Sequence, residues 1–245
     1  MQAVINDILT EYNILGLKNN EDIIIIHGWG QSSRDWEYVA QTLSDKYRVV
    51  VLDLPGFGGS SLPPKPYNTE MYAKFIKNFI EKLGLRKVIL IGHSLGGKIS
   101  ICLSAGSTNI KKLFLIAPSG IENKSVITIV KIILVKILKV FLFWLPLKIR
   151  QKYVYLLGSR DYLNAGEMRE TLKKVINENV TKQAAKIKVP TVIVWGEKDE
   201  EVNLKTSKKL RGLIKNSTLR IIWGERHSVN IESPDKLLSI LADYL

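Results

Sequence analysis

The chain has 245 residues, 46% of them hydrophobic and 24% charged, a composition that excludes a disordered chain and allows one substantial core. The formal net charge is +13, but the lysines are spread over several segments and form no basic patch mixed with aromatics, so we expect no nucleic-acid partner. A single cysteine, Cys102, excludes an intramolecular disulfide, and the absence of an apolar leader run at the start of the sequence predicts a cytoplasmic protein.

The first half of the chain alternates strand and helix patterns. Residues 9–14 alternate apolar and polar side chains, which predicts an edge strand with few strands before it. The further elements predicted in this half are a strand at 23–26, a helix at 33–44, a strand at 47–52, a helix at 69–83, a strand at 88–91, a helix from residue 98 and a strand at 112–117. Strands that are apolar on both faces, separated by helices, predict an α/β fold with a mostly parallel central sheet flanked by helices.

Strand patterns are missing between residues 122 and 180, where we predict an inserted helical lid, or cap, between the core segments 1–121 and 181–245. In the strongly apolar stretch at 125–145, Lys131, Lys136 and Lys139 share one helical face over an arc of about 140°. Three lysines argue against a transmembrane helix. Two interpretations of these lysines remain open. They are solvated above an apolar roof of the site, which we favour, or they attach the lid weakly to an anionic membrane surface.

Strand and helix patterns return after residue 190. The elements predicted there are a strand at 191–195, a helix at 207–213, a strand at 217–223 and a helix at 234–244. In sheets of this kind, functional sites lie at the carboxyl ends of the strands. His27, Asp53, Ser94 and Pro118 all lie at the carboxyl ends of predicted strands, so we expect them at one edge of the sheet.

A serine occupies the turn between the strand at 88–91 and the helix that follows. Gly92 and Gly96 flank Ser94 at positions minus two and plus two, the G-x-S-x-G pattern, where a Cβ would collide with the neighbouring backbone. The alternative is a glycine-rich turn or phosphate-binding loop. We favour a nucleophilic serine, because residues able to activate it follow further along the chain.

A serine hydroxyl becomes a nucleophile only when a base takes its proton, and the base needs an acid to orient it. The chain has three histidines. His93 should point away from the Ser94 hydroxyl because it directly precedes Ser94, and we expect His27 to brace its own loop. His227, just after the last predicted strand, is therefore the predicted base.

The acid should lie between Ser94 and His227, at another strand end. We favour Asp199 because it follows its strand at a suitable distance and because a short side chain suits a fixed orienting group. The adjacent Glu200 and Glu201 remain open alternatives.

The negative charge that develops on the substrate oxygen needs two backbone N–H donors, an oxyanion hole. We predict these donors at Leu95, at the start of the helix after Ser94, and at Trp29, in a loop that Gly28 and Gly30 allow to approach closely. The predicted substrate pocket includes His27, Gly28, Trp144 and Val202.

Five motifs occur in a fixed order, at residues 27–30, 53–60, 92–97, 195–199 and 224–227. With them, the chain resembles α/β-hydrolase fold enzymes over essentially its whole length, and is similar to small serine esterases and meta-cleavage-product hydrolases. The resemblance implies eight strands, a helical cap, and no metal or organic cofactor. In this chain the amino-terminal strands are abbreviated and the predicted cap is rich in lysine.

From the motifs and the resemblance we predict a carboxylesterase-like serine hydrolase. It would cleave carboxylic esters of small to medium, largely apolar substrates through an acyl-enzyme on Ser94. The first alternative is a C–C bond hydrolase of meta-cleavage-type diketones, which can use the same three residues. The second is a ligand receptor that retains them, for which the sequence offers no specific feature.

Overall fold

An eight-stranded sheet forms the centre of the computed structural model, which describes residues 1–106, 109–121 and 160–245. The strands are β1 (Gln2–Ile5), β2 (Ile8–Leu15), β3 (Asp22–Ile26), β4 (Arg48–Leu52), β5 (Val88–His93), β6 (Ile110–Ile116), β7 (Thr191–Gly196) and β8 (Ser217–Ile222). Their order in the sheet is β1-β2-β4-β3-β5-β6-β7-β8. The β1–β2 and β2–β4 pairs are antiparallel and the other pairs are parallel, which confirms the predicted fold class.

Helices follow most of the strands in the described ranges. They are α1 (Glu37–Leu43), α2 (Thr69–Lys82), α3 (Leu95–Ser104), α4 (Arg160–Asn164), α5 (Arg169–Asn177), α6 (Thr181–Ala184), α7 (Lys205–Leu213), α8 (Val229–Glu232) and α9 (Pro234–Tyr244). Short 3₁₀ helices at Ser33–Trp36 and Gly166–Met168 precede α1 and α5. The predicted helix at 33–44 is therefore divided into a 3₁₀ turn and an α-helix.

The sheet is covered on both faces, as the doubly apolar strand runs predict. In β3, Ile24 and Ile26 pack in the apolar layer that contains α2 and α3, whereas Ile23 and Ile25 pack in the layer that contains α1 and α9. All four side chains are fully buried. A strand in this position has no solvent-exposed face, which explains its uninterrupted isoleucine run.

The prediction of an edge strand at residues 9–14 is wrong in one respect. These residues lie in β2, but β1 pairs outside β2 and forms the edge of the sheet. Asn6 and Asp7 join the two strands, with φ angles of 49° and 63°. Asparagine and aspartate tolerate this left-handed conformation, which matches the twist of a two-residue hairpin. The eight strands implied by the resemblance are therefore present, although β1 has only four residues.

A buried lysine connects α3 to the chain segment that precedes β7. The Lys98 ammonium donates to the carbonyl oxygens of Val175 and of Glu178, the latter at 2.7 Å. Burial lowers the pKa of Lys98 to about 8, although the nearby negative charge of Glu178 acts to raise it. The Val180 amide also donates to the Gly120 carbonyl oxygen at 2.9 Å, so the chain on the two sides of residues 122–159 comes together.

Most of the predicted lid lies outside the described residues, as do Trp144 and the three lysines at 131, 136 and 139. The helices α4 and α5 occupy its last part, and the boundaries 122 and 180 remain a prediction. Within the described ranges, no helix combines the length and the hydropathy needed to cross a lipid bilayer.

The loop after β4 is held by a buried carboxylate. Asp53 Oδ1 accepts from the Ser33 amide at 2.6 Å, and Asp53 Oδ2 accepts from the Gly59 amide at 2.8 Å. A Cβ on Gly58 would overlap with the same carboxylate. Asp53 therefore fixes the loops after β3 and β4 against each other.

We expect Asp53→Ala to lower the free energy of unfolding by about 2–4 kcal/mol, because the buried Ser33 amide and the partly buried Gly59 amide lose their acceptor. Urea denaturation measures this change. Asp45→Ala is the control at an exposed aspartate, and it should change the same free energy by less than about 0.5 kcal/mol. Equal values for the two variants would contradict this role for Asp53.

Candidate active site

Ser94 lies on a strained turn between β5 and α3. Its backbone has φ 49° and ψ −110°, which is an uncommon conformation for a residue with a side chain. A Cβ on Gly96 would overlap with the Ile26 carbonyl oxygen, and a Cβ on Gly92 would lie 2.6 Å from the Gly96 carbonyl oxygen. The requirement for glycine at both positions is therefore confirmed by the backbone contacts.

The loop after β3 lies directly against Ser94. A Cβ built on Gly28 would be 2.9 Å from His93 Nδ1 and 3.2 Å from the Cβ of Ser94, so a side chain at this position would push these neighbours away. Gln31 stabilises the turn, because its Oε1 accepts from the Gly28 amide at 3.0 Å. In the described part of the chain, no protein acceptor takes up the backbone N–H of Trp29 or of Leu95. That these two amides bind a ligand oxygen stays a prediction.

The loops after β7 and β8 bring a carboxylate and an imidazole together. His227 Nδ1 lies 2.8 Å from Asp199 Oδ2, and both side chains are buried. The second oxygen, Asp199 Oδ1, accepts from the amides of Glu201 and Val202 at 2.9 and 2.8 Å. Of the three acids that the sequence leaves open, Asp199 is thus the one bonded to Nδ1 of His227, and Glu200 is exposed.

Ser94 and His227 make no hydrogen bond to each other among the contacts of the described residues. His93 Nε2 lies 3.1 Å from the carbonyl oxygen of His227, and the two rings are 4.8 Å apart at their centroids. His227 is therefore packed against the residue that precedes Ser94. The carboxylate of Glu201 lies beside Nε2 of His227, with its Oε2 at 3.5 Å. The contact between Ser94 and His227 stays a prediction.

The three histidines differ in their protonation. Burial lowers the pKa of His227, but the hydrogen bond and charge of Asp199, with the charges of Glu201 and Glu232, outweigh burial and raise the pKa above its ordinary value. Burial and the neighbouring His227 lower the pKa of His93 to about 3, and burial also lowers the pKa of His27. His93 and His27 are thus neutral near pH 7, whereas the pKa of His227 is raised by its acidic neighbours.

The predicted pocket residues have different surroundings. His27 is fully buried, with the Leu54 amide donating to its Nε2 at 3.0 Å and its Nδ1 2.7 Å from the Gly28 carbonyl oxygen. This placement agrees with a bracing role for the ring. Val202 is also buried, and its carbonyl oxygen accepts from Trp195 Nε1 at 2.9 Å. Gly28 borders Ser94 as described, and Trp144 lies outside the described residues.

Two contacts at this site have no signal in the sequence. Gln31 Oε1 lies 3.1 Å from His93 Nδ1, and Glu201 Oε2 lies 3.5 Å from His227 Nε2, so both contacts join residues that are far apart in the chain. No local pattern marks a glutamine or a glutamate for such contacts. Across the residues that the structure describes, no group of three or more His, Cys, Asp and Glu side chains is arranged to hold a metal ion.

Comparisons with known proteins agree with this architecture. The family model described as alpha/beta hydrolase fold matches residues 23–139, a range that extends from within β3 past β6 and includes the Ser94 turn. This chain has the α/β-hydrolase fold. The uncharacterized hydrolase YugF of Bacillus subtilis is 25% identical to this α/β hydrolase, over 92% of the chain and 90% of the relative.

Two further relatives indicate the range of chemistry on this fold. The monoacylglycerol lipase abhd6-A of Xenopus laevis is 25% identical over 93% of this α/β hydrolase and 76% of the relative. A meta-cleavage product hydrolase from Pseudomonas fluorescens superposes with a TM-score of 0.74 at 19% identity, covering 99% of this chain and 96% of that one. The family model and the sequence relatives support an enzymatic hydrolase of this fold.

Gly196 is the point where the loops carrying Asp199 and His227 touch. A Cβ there would overlap with the Arg226 carbonyl oxygen. We expect Gly196→Ala to separate the two loops, lowering the free energy of unfolding by about 1–3 kcal/mol. Any His227-dependent activity should fall by at least about tenfold, because a displacement of about 1 Å has this effect or more.

Gly212→Ala is the matched control for this substitution. Gly212 lies in α7, and a Cβ on it would meet no atom within 4 Å. This variant should be unchanged or more stable by up to about 1 kcal/mol, because alanine favours a helix over glycine. Thermal melting and activity of both variants measure the difference. A Gly196→Ala protein that matches Gly212→Ala in both would contradict the contact.

Proposed function

We propose that this chain is a serine hydrolase of the carboxylesterase type. It would cleave carboxylic esters of small to medium, largely apolar substrates through an acyl-enzyme on Ser94, in the cytoplasm and without a cofactor. The observation that carries the proposal is the pairing of a strained serine turn with a buried histidine–carboxylate pair at the same end of the sheet. Ser94 has φ 49°, and His227 lies 2.8 Å from Asp199.

The proposed reaction begins with attack of Ser94 Oγ on the ester carbonyl carbon, while His227 Nε2 takes the hydroxyl proton. Asp199 accepts from Nδ1–H and stabilises the imidazolium that forms. The amides of Trp29 and Leu95 would bind the oxyanion. His227 then returns the proton to the leaving alcohol, and a water molecule, deprotonated by His227, hydrolyses the acyl-enzyme.

The strain at Ser94 supports a functional turn. Non-glycine residues in such conformations cost about 1–3 kcal/mol and are kept where the surrounding structure enforces them. Here the Ser94 amide donates to Ile116, and the Ser94 carbonyl oxygen accepts from the amides of Lys98 and Ser119. This bonding holds the serine side chain above the carboxyl end of the sheet, where a substrate can reach it.

A second candidate function is hydrolysis of a C–C bond in meta-cleavage-type diketones. The similarity in fold to a meta-cleavage product hydrolase, at 19% identity, favours it only at the level of the fold. The lipase relative is matched by sequence over 93% of this chain, which supports ester hydrolysis.

Whether the lid also attaches weakly to an anionic membrane surface is a separate proposal, tested by sedimentation with anionic and neutral vesicles at low salt.

Replacing the proposed nucleophile tests the ester proposal directly. We expect Ser94→Ala to lower kcat/KM for short para-nitrophenyl esters by at least about 10³-fold, because the acyl-enzyme cannot form. Ser61→Ala, at an exposed serine, should keep the wild-type rate. Equal rates for folded Ser94→Ala and wild-type protein would reject the proposal. Hydrolysis of a dienoic diketone in preference to every ester would favour the C–C bond hydrolase.

The raised pKa of His227 predicts a pH profile. The protonated imidazole cannot accept the Ser94 proton, so kcat/KM should fall as the pH decreases through the pKa of His227. Because that pKa lies above its ordinary value, we expect the midpoint of the acid limb above about pH 6.5. Ester hydrolysis between pH 5 and 9 measures it. A rate independent of pH across this interval would contradict His227 as the base.

A further inference from the structure

A second carboxylate lies at the nitrogen of His227 that faces away from Asp199. Glu201 Oε2 is 3.5 Å from His227 Nε2, and the Glu201 side chain is 67% exposed whereas that of His227 is 7% exposed. The backbone beneath Glu201 is fixed, because the Glu201 amide donates to Asp199 Oδ1 at 2.9 Å. One loop therefore provides a buried carboxylate for Nδ1 and a solvated carboxylate for Nε2.

This contact is favourable in only one protonation state of the imidazole. Nδ1–H donates to Asp199, so in neutral His227 the Nε2 atom carries a lone pair, which a carboxylate oxygen repels. In the imidazolium, Nε2–H attracts the same carboxylate. The proposed reaction forms this imidazolium while Ser94 attacks, and the exposed Glu201 side chain is free to turn toward or away from it.

The loop at residues 197–201 is acidic in a chain whose net charge is +13. Glu197 accepts from the Gly224 amide at 3.0 Å, and Asp199 bonds to His227, so two of its acids are engaged. Glu200 and Glu201 are exposed. A carboxylate on a substrate bound at Ser94 and His227 would therefore lie near the negative charge of Glu201, which raises the free energy of its complex.

We propose that Glu201 is a positioning and specificity-determining residue of this site, which favours the charged form of His227 and selects neutral or cationic esters over anionic ones. The inference rests on the proposed function. It also bears on the alternative reaction, because a meta-cleavage-type dienoic acid is anionic near neutral pH and would be disfavoured by Glu201.

The groups that face His227 define what a substitution at residue 201 changes. They are Asp199 and Glu201 in the loop after β7, Glu232 at the end of α8, and His93 at the end of β5. His93 is neutral near pH 7 because burial lowers its pKa to about 3. Replacing Glu201 by glutamine thus removes one of three negative charges near His227 and keeps the shape of the side chain.

The test compares Glu201→Gln with the control Glu200→Gln, which removes an equal charge at the adjacent exposed residue. Two substrates of similar size are used, para-nitrophenyl butyrate, which is neutral, and mono-para-nitrophenyl succinate, which is anionic. At low ionic strength we expect Glu201→Gln to reduce the preference for the neutral ester by about 2- to 5-fold, the range typical of an exposed charge pair. The acid limb of kcat/KM should move to lower pH by about 0.2–0.5 units, because a charge that raises the pKa of His227 is lost.

Glu200→Gln should produce less than half of each change. If Glu201→Gln and Glu200→Gln give the same preference, or if the acid limb does not move in Glu201→Gln, the inference is overturned. Ser94→Ala separates this failure from that of the proposed function. If Ser94→Ala loses hydrolysis while Glu201→Gln and Glu200→Gln behave alike, only the role of Glu201 is rejected. If Ser94→Ala retains full hydrolysis, the proposed function and the role of Glu201 are both rejected.

Discussion

The hydrogen bond between Asp199 and His227 depends on two loops that meet at a glycine. β7 and β8 are parallel neighbours, so the loops that follow them leave the sheet at the same edge. At Gly196 the backbone of the first loop touches the carbonyl groups of Glu225 and Arg226 in the second, with no room for a side chain. This close approach lets a short aspartate reach the imidazole and still accept two backbone amides. A longer acid would have to fold back on itself in the same space.

Close backbone approach also defines the serine side of the site. The turn at Ser94 touches the end of β3 through Gly96 and the loop after β3 through Gly28. The parallel order β3-β5-β6-β7-β8 aligns the carboxyl ends of these strands, so the serine and the histidine–carboxylate pair share one edge although they are far apart in the chain. Buried groups then fix the loops. Asp53 holds two amides, and His27 accepts from the Leu54 amide. These contacts fix the loops around the site, where His227 is buried and the Glu201 side chain is exposed.

Much of the fold follows from local pattern. The strands and helices predicted at 23–26, 69–83, 191–195 and 234–244 agree with the structure within one or two residues. Each of these segments has an uninterrupted apolar pattern that is typical of either a buried strand or a helix. The β1 strand escaped prediction because it has four residues, half of them exposed, and because its turn residues, Asn6 and Asp7, are a weaker hairpin signal than a glycine pair. The helix at 33–44 is broken after Trp36, where the chain changes from 3₁₀ to α geometry without a breaker residue.

The sequence by itself determined the strained serine turn, the parallel sheet and the identity of the residues that could act together, because these depend on glycine spacing and on apolar period. Only the tertiary structure decided which of three adjacent acids bonds to Nδ1 of His227. It also decided that burial keeps His93 and His27 neutral and that Glu201 lies at Nε2 of His227. The physical reason is that these contacts join residues from separate strand ends. Their distances depend on sheet register and on loop backbone direction, which no local pattern encodes.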